Sequence, residues 1–202
     1  MKLIEGDVIL VHSKKWLARQ IQKWMNLYRI RKGLPTRKLF NHVAVVVDLY
    51  GSLHVVESIE TGVNVKPDAK AYVDRQDCKV LTWVNPLSAR EGSVFSKTAI
   101  NYALTPHRYD FLNFWYQIRY IITGKWRGPV GENSTKRVYC SELAAIVMDK
   151  TRGTFKGITW DKNPLDIDLC EELREKTQAD ELTDAEVKEL PLAQAVIWTI
   201  KK

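Results

Sequence analysis

Three residues in this chain have the types and local settings that thiol chemistry needs. They are Cys140 in Tyr139-Cys140-Ser141-Glu142-Leu143, His42 in Asn41-His42-Val43-Ala44-Val45-Val46-Val47, and Glu57 in Val55-Val56-Glu57-Ser58. A thiol attacks only as thiolate, so it needs a base nearby and a positive field or helix N-terminus to hold the charge. The base needs a third group to fix its tautomer. Cys140 follows a loop and opens a predicted helix, where free N–H groups favour a thiolate and could hold an oxyanion. His42 opens a predicted strand. Glu57 interrupts an apolar run, where a carboxylate is costly unless paired.

Each residue also has a plainer reading. Cys140 could be an ordinary core cysteine. His42 could shape the preceding loop, and Glu57 could pair with one of the many cations. The remaining histidines have weaker settings: His54 alternates to the face opposite Glu57, His107 lies in a turn, and His12 follows the first strand.

The elements that must position these residues follow from pattern. Residues 7–11 read as a buried strand, and 14–32 as an amphipathic helix with a basic face. Residues 42–49 and 53–59 read as a hairpin around Tyr50-Gly51-Ser52. A two-residue turn at Gly51-Ser52 pairs residue 50 with 53 and puts Glu57 on the face of His42, but about four residues away along the sheet. A three-residue loop turns Ser58 or Glu60 to that face instead. Residues 79–84 read as a strand. Ser88-Ala89-Arg90-Glu91 reads as a capping box for a helix to Leu104. Further helices are expected over 111–122, 140–150, from Asn163-Pro164 to about Glu175, and after Thr183. Residues 124–138 read as a long loop and 192–200 as a terminal strand. The sum is an α+β fold, a small antiparallel sheet beside helices.

Composition sets outer limits. The chain has 202 residues, 45% of them hydrophobic, enough for one domain spanning 1–202. Its net charge of +7 favours anions such as nucleic acid, anionic lipid headgroups or wall polymers and does not choose among them; no element specific to nucleic acid is read, and the sequence does not set an oligomeric state. The three cysteines, Cys78, Cys140 and Cys170, form no C-x-x-C pair, which argues against structural zinc and for a reducing compartment. The N-terminus lacks a secretory h-region and no apolar run spans a bilayer, so synthesis in the cytoplasm is expected. A protein acting outside the cell would then need another exit, such as lysis if phage-encoded.

The order histidine, glutamate, cysteine is itself informative, because ordinary papain-like enzymes place the cysteine first. Together with Gly6-Asp7-Val8-Ile9-Leu10, Gly62-Val63, Tyr109-Asp110-Phe111 and Asn163-Pro164-Leu165-Asp166, the chain resembles the circularly permuted papain-like hydrolases, the YiiX-like branch of the NlpC superfamily of cell-wall peptidases and amidases. The resemblance implies a permuted papain-like fold with a Cys140–His42–Glu57 triad and no cofactor or metal. It makes Tyr109 a candidate for a tyrosine lining the substrate cleft, with Tyr139 competing. A peptidoglycan-type peptide is the implied substrate of an amide-cleaving thiol hydrolase. The basic first helix and the loop 124–138 depart from the family. Two other functions share these residues: a lipid acyltransferase or lipase, as in the related lecithin–retinol acyltransferase-like proteins, and a non-catalytic module binding anionic polymers.

Overall fold

The computed structural model describes residues 1–14, 16–31, 40–110, 137–156 and 170–176, with Trp115, Tyr116, Arg119, Thr123 and Ile167 as single positions. Six strands form one antiparallel sheet: β1 (Val8–Val11), β2 (His42–Leu49), β3 (Ser52–Ile59), β4 (Gly62–Lys66), β5 (Cys78–Trp83) and β6 (Leu173–Glu175), in the spatial order β4-β3-β2-β1-β5-β6. Among the described residues four helices accompany it: α1 (Trp16–Arg31), α2 (Ala69–Asp74), α3 (Ala89–Leu104) and α4 (Cys140–Arg152). The fold is α+β. Among the described residues no helix is long and apolar enough to cross a membrane.

The central strands are buried on both faces, which is why they read as continuous apolar runs rather than alternating ones. On one face Val8, Leu10, Val43, Val45, Val47 and Val56 pack against Phe95 and Ala99 of α3 and Leu143, Val147 and Met148 of α4. Each fully buried aliphatic side chain contributes about 1.5–3 kcal/mol, so α4 is held firmly on the sheet. On the other face Ile9, Val11, Ala44, Val46, Val55 and Val80 pack against Leu3, Ala69 and Tyr72. Among the described residues that second layer is thinner, built on the six-residue α2.

Two polar clamps fix the register of α4. At its C-terminal end the Arg152 guanidinium donates to Glu91 at 2.8 and 3.0 Å and to the carbonyls of Asn85 and Pro86. Glu91 is also the acceptor of the Ser88 capping box that starts α3, so both helices are tied at one point. Before its N-terminal end, the Val138 N–H donates to the Arg108 carbonyl, and the Val138 carbonyl accepts from the buried Ser58 hydroxyl at 2.7 Å.

The hairpin turn differs from the expected one. Its central residues are Tyr50 and Gly51, with φ of 56° and 82°, and Leu49 pairs with Ser52. Positive φ at both positions is the type I′ pattern, whose twist matches that of the strands. Tyrosine is a poor residue for that conformation, which is why the turn reads one position later in the sequence. The expected helix to about Glu175 is also corrected at its end. Leu173–Glu175 is an edge strand, paired from Leu81 opposite Glu175 to Trp83 opposite Leu173. Pairing with the open edge of β5 overrides the local helical reading. Lys176 then reaches back to Asp7 at 2.7 Å, both buried. Helices over 111–122 and after Thr183, the loop 124–138, the start at Asn163-Pro164 and the strand 192–200 lie largely or wholly outside the described residues.

Candidate functional site

His42 and Glu57 are brought together by sheet register. Glu57 stands opposite Ala44, two residues from His42 on the same face. Diagonal neighbours across an antiparallel pair are within reach of long side chains. The His42 Nε2 lies 2.8 Å from Glu57 Oε2. The turn at Tyr50-Gly51 keeps the facing of the expected register but halves the separation along the sheet, so no bulge is needed.

Cys140 comes from the other direction, as the first residue of α4. It is 5% exposed. Since Nε2 is committed to Glu57, the sulfur meets His42 through Nδ1, in a side-chain hydrogen bond. The ladder between β2 and β3 ends at Ala44 opposite Glu57, and the Val43 N–H, past that last pair, donates to the Cys140 sulfur. The Ser141 N–H, at the helix start, donates to it as well. These donors and the helix dipole all favour sulfur as an anion.

The ionisation of the pair follows from this geometry. Burial pushes the Cys140 thiol up, but the adjacent imidazolium, its hydrogen bond and the two backbone donors outweigh burial and hold it below the ordinary thiol value. Burial likewise opposes a charge on His42, yet the thiolate and then Glu57 raise it from 6.5 to about 10. Glu57 resists burial through the His42 bond and stays below the ordinary carboxylate value. All three directions favour the set thiolate, imidazolium and carboxylate over its neutral form. Cys78 and Cys170 differ: burial raises both thiols.

Tyr72 is a component that the sequence reading did not reach. It lies on α2, a six-residue helix capped by Asp68, whose side chain accepts from the Ala71 N–H. Its hydroxyl donates to Glu57 Oε2 at 2.7 Å, the same oxygen that accepts from His42. Burial and the neighbouring Glu57 carboxylate raise its phenol, so it remains a donor. Asp68 after Pro67 was the available signal for that helix.

Of the two candidate cleft tyrosines, the structure brings Tyr109 to the sulfur. Its hydroxyl hydrogen-bonds Cys140, and burial together with that sulfur's charge raises its phenol. Tyr139 is 5% exposed and occupies the N-cap position of α4, where its N–H donates to Glu142 Oε2 at 3.4 Å. Gly62 makes room for the Tyr109 segment. At its φ of +116°, an added Cβ would stand 2.5 Å from the His107 carbonyl oxygen. The alternative third residues have other places: Ser58 anchors Val138, and Glu60 lines a neighbouring pocket. His12, His54 and His107 hydrogen-bond Gln22, the Ser52 carbonyl and the Tyr102 and Thr105 carbonyls.

No protein-family model and no curated protein matches the chain. Its fold is similar to that of the metalloprotein YiiX of Escherichia coli O157:H7, a DUF1105 protein. The TM-score is 0.57 at 16% identity, over 86% of this chain and 96% of that one. The likeness to YiiX read from the sequence therefore holds at the level of the fold. Among the described residues of this chain, no three His, Cys, Asp or Glu side chains gather as a metal would require. Both ring nitrogens of His42 are already engaged, by Glu57 and Cys140. The described residues therefore do not fit a metal centre.

Proposed function

We propose that the protein is a permuted papain-like cysteine hydrolase that cleaves an amide bond through an acyl-thioester on Cys140. The observation that supports this reading is the continuous chain from Cys140 sulfur through His42 to Glu57, polarised as thiolate and imidazolium. The thiolate attacks the carbonyl carbon, and the oxygen takes the negative charge. The Cys140 N–H at the start of α4 and the Tyr109 hydroxyl are the donors for that oxyanion. As the intermediate collapses, His42 Nδ1–H protonates the departing amine and the C–N bond breaks, leaving the thioester. Water then gives a proton to the neutral imidazole and attacks the thioester. Breakdown of that intermediate releases the carboxylic acid and restores thiolate and imidazolium. Glu57 holds the ring and stabilises its charge. Tyr72 fixes Glu57 in turn and acts as a positioning residue.

A peptide of the peptidoglycan type is the proposed substrate. The test is labelling with iodoacetamide near neutral pH, with mass mapping of the three cysteines, alongside turnover of wall-derived peptides. The expected result is fastest labelling at Cys140 and no turnover by Cys140→Ala. Labelling of Cys140 no faster than Cys78 would overturn the proposal.

A further inference from the structure

A pocket of about 800 Å³ opens on the face of the sheet that carries α2. That volume lies within the range of small-molecule sites, about 300–1,000 Å³. Its apolar wall is formed by Leu3, Leu53, Pro67 and Ala69, and Lys2 and Lys70 also line it. Both lysines are exposed, and neither has an ion-pair partner among the described residues. Leu53 stands four residues along β3 from Glu57, about 13 Å at ~3.3 Å per residue, so the pocket is separate from the thiol. The two sites share one element all the same. Ala69, in the pocket wall, and Tyr72, whose hydroxyl holds Glu57, are one turn apart on α2 and pack in one cluster with Leu3 and Leu53. α2 has only six residues, and its N-cap Asp68 takes a left-handed φ of 57°. A helix that short is marginal without packing. A ligand that fills the pocket adds apolar contacts to α2 and favours the arrangement in which Tyr72 meets Glu57.

We propose that this pocket is an effector site for an amphiphilic anion of the fatty-acid type, whose binding steadies α2 and tightens the hold of Tyr72 on Glu57. The apolar wall takes the hydrocarbon chain. The lysines take the head group as point charges. Asp68 lines the pocket too, with one carboxylate oxygen accepting from the Ala71 N–H. Two lysines against that aspartate leave a formal charge of about +1, which suits a single carboxylate. Binding stands independently of the hydrolase reading; the consequence at Cys140 rests on it.

The probe is octanoate below its micelle-forming concentration, with octanamide as the neutral analogue and acetate as the anion without the chain. Calorimetry is expected to show octanoate saturating at one per chain and acetate not saturating. Octanamide should bind about threefold to tenfold more weakly, and so should octanoate to the double variant Lys2→Gln with Lys70→Gln. Circular dichroism checks the fold of that variant. With octanoate bound, backbone hydrogen exchange over residues 69–74 should slow about threefold. The upper limit of the pH range over which iodoacetamide alkylates Cys140 at constant rate should rise by about 0.3 pH unit, a change of about twofold in the proton affinity of His42. In Tyr72→Phe that rise should vanish. No saturation by octanoate, or equal affinity for octanoate and octanamide, overturns the site, as does an unchanged affinity in the lysine variant. Binding that slows exchange in α2 but leaves the Cys140 profile in place overturns the effector role while the hydrolase reading stands. Labelling of Cys140 no faster than Cys78 in the ligand-free protein overturns the hydrolase reading and the effector role with it.

Discussion

Glu57→Gln offers the sharpest test of how the site works. The shift of His42 from 6.5 to about 10 corresponds to roughly 5 kcal/mol in favour of imidazolium, at about 1.4 kcal/mol per pH unit. Cys140 supplies more of it than Glu57 does. Removing the carboxylate while keeping its shape should therefore take a minor share, on the order of one pH unit. The measurement is the rate of Cys140 alkylation by iodoacetamide across pH. In the unaltered protein the rate should rise at a pH below the ordinary thiol value, because the Cys140 thiol is depressed. It should then hold a plateau until His42 loses its proton near 10. In Glu57→Gln the upper edge of the plateau should move down by about one pH unit while its lower edge stays below the ordinary thiol value. Turnover should drop by about tenfold to a hundredfold, less than in Cys140→Ala, which lacks the nucleophile altogether. Two results would refute the reasoning. One is a single rise at the ordinary thiol value in the unaltered protein, with no plateau. The other is superimposable pH profiles for the two proteins with only the melting temperature lowered, which would make Glu57 a structural ion-pair partner.

Three further outcomes follow from the same geometry. Tyr72→Phe removes a donor that helps hold Glu57 below the ordinary carboxylate value. A depressed carboxyl adds stability above its unfolded value that is lost as pH falls through the folded one, so the variant should begin acid unfolding at higher pH. Its kcat should fall about threefold to tenfold with KM little changed. Burial, with a smaller contribution from Asp110, raises the Glu142 carboxyl from 4.5 to about 8. A raised carboxyl costs stability as pH climbs from 4.5 through 8, so Glu142→Gln should leave the melting temperature unchanged at pH 4 and raise it at pH 9. Gly62→Ala would bring a methyl group against the His107 carbonyl at 2.5 Å in a backbone region that L side chains avoid. A loss of about 1–3 kcal/mol in chemical denaturation is expected, with slower Cys140 alkylation as Tyr109 is displaced.

What the sequence shows of this molecule divides along a physical line. Elements that announce themselves locally were legible: the apolar runs of β1, β2, β3 and β5, the Ser88 capping box that starts α3, and the start of α4 at Cys140. Elements that exist only through their neighbours were not. The short strands β4 and β6 and the six-residue α2 carry too little periodicity to read, and each is stabilised by the sheet edge or face it covers. Tyr72 was lost with α2 for that reason, although Asp68 carried a usable cap signal.

The hairpin shows how a small local error can leave the site intact and still misstate its mechanics. With the turn at Gly51-Ser52, Glu57 would stand opposite Val46, four residues from His42, and only a bulge or strong twist could join them. With the turn at Tyr50-Gly51, Glu57 stands opposite Ala44 and the bond to His42 forms across an ordinary diagonal. The two registers differ by two residues, so facing is conserved and only reach changes. Local preference favours the first register, since it spares Tyr50 a φ of 56°. The second register is selected by packing: it sets Val45 opposite Val56 and Val46 opposite Val55, all buried. Cross-strand pairs of such side chains, at about 0.2–1 kcal/mol per pair over several pairs, offset the 1–2 kcal/mol or so that one strained turn residue costs. The core thus fixes the distance between base and carboxylate.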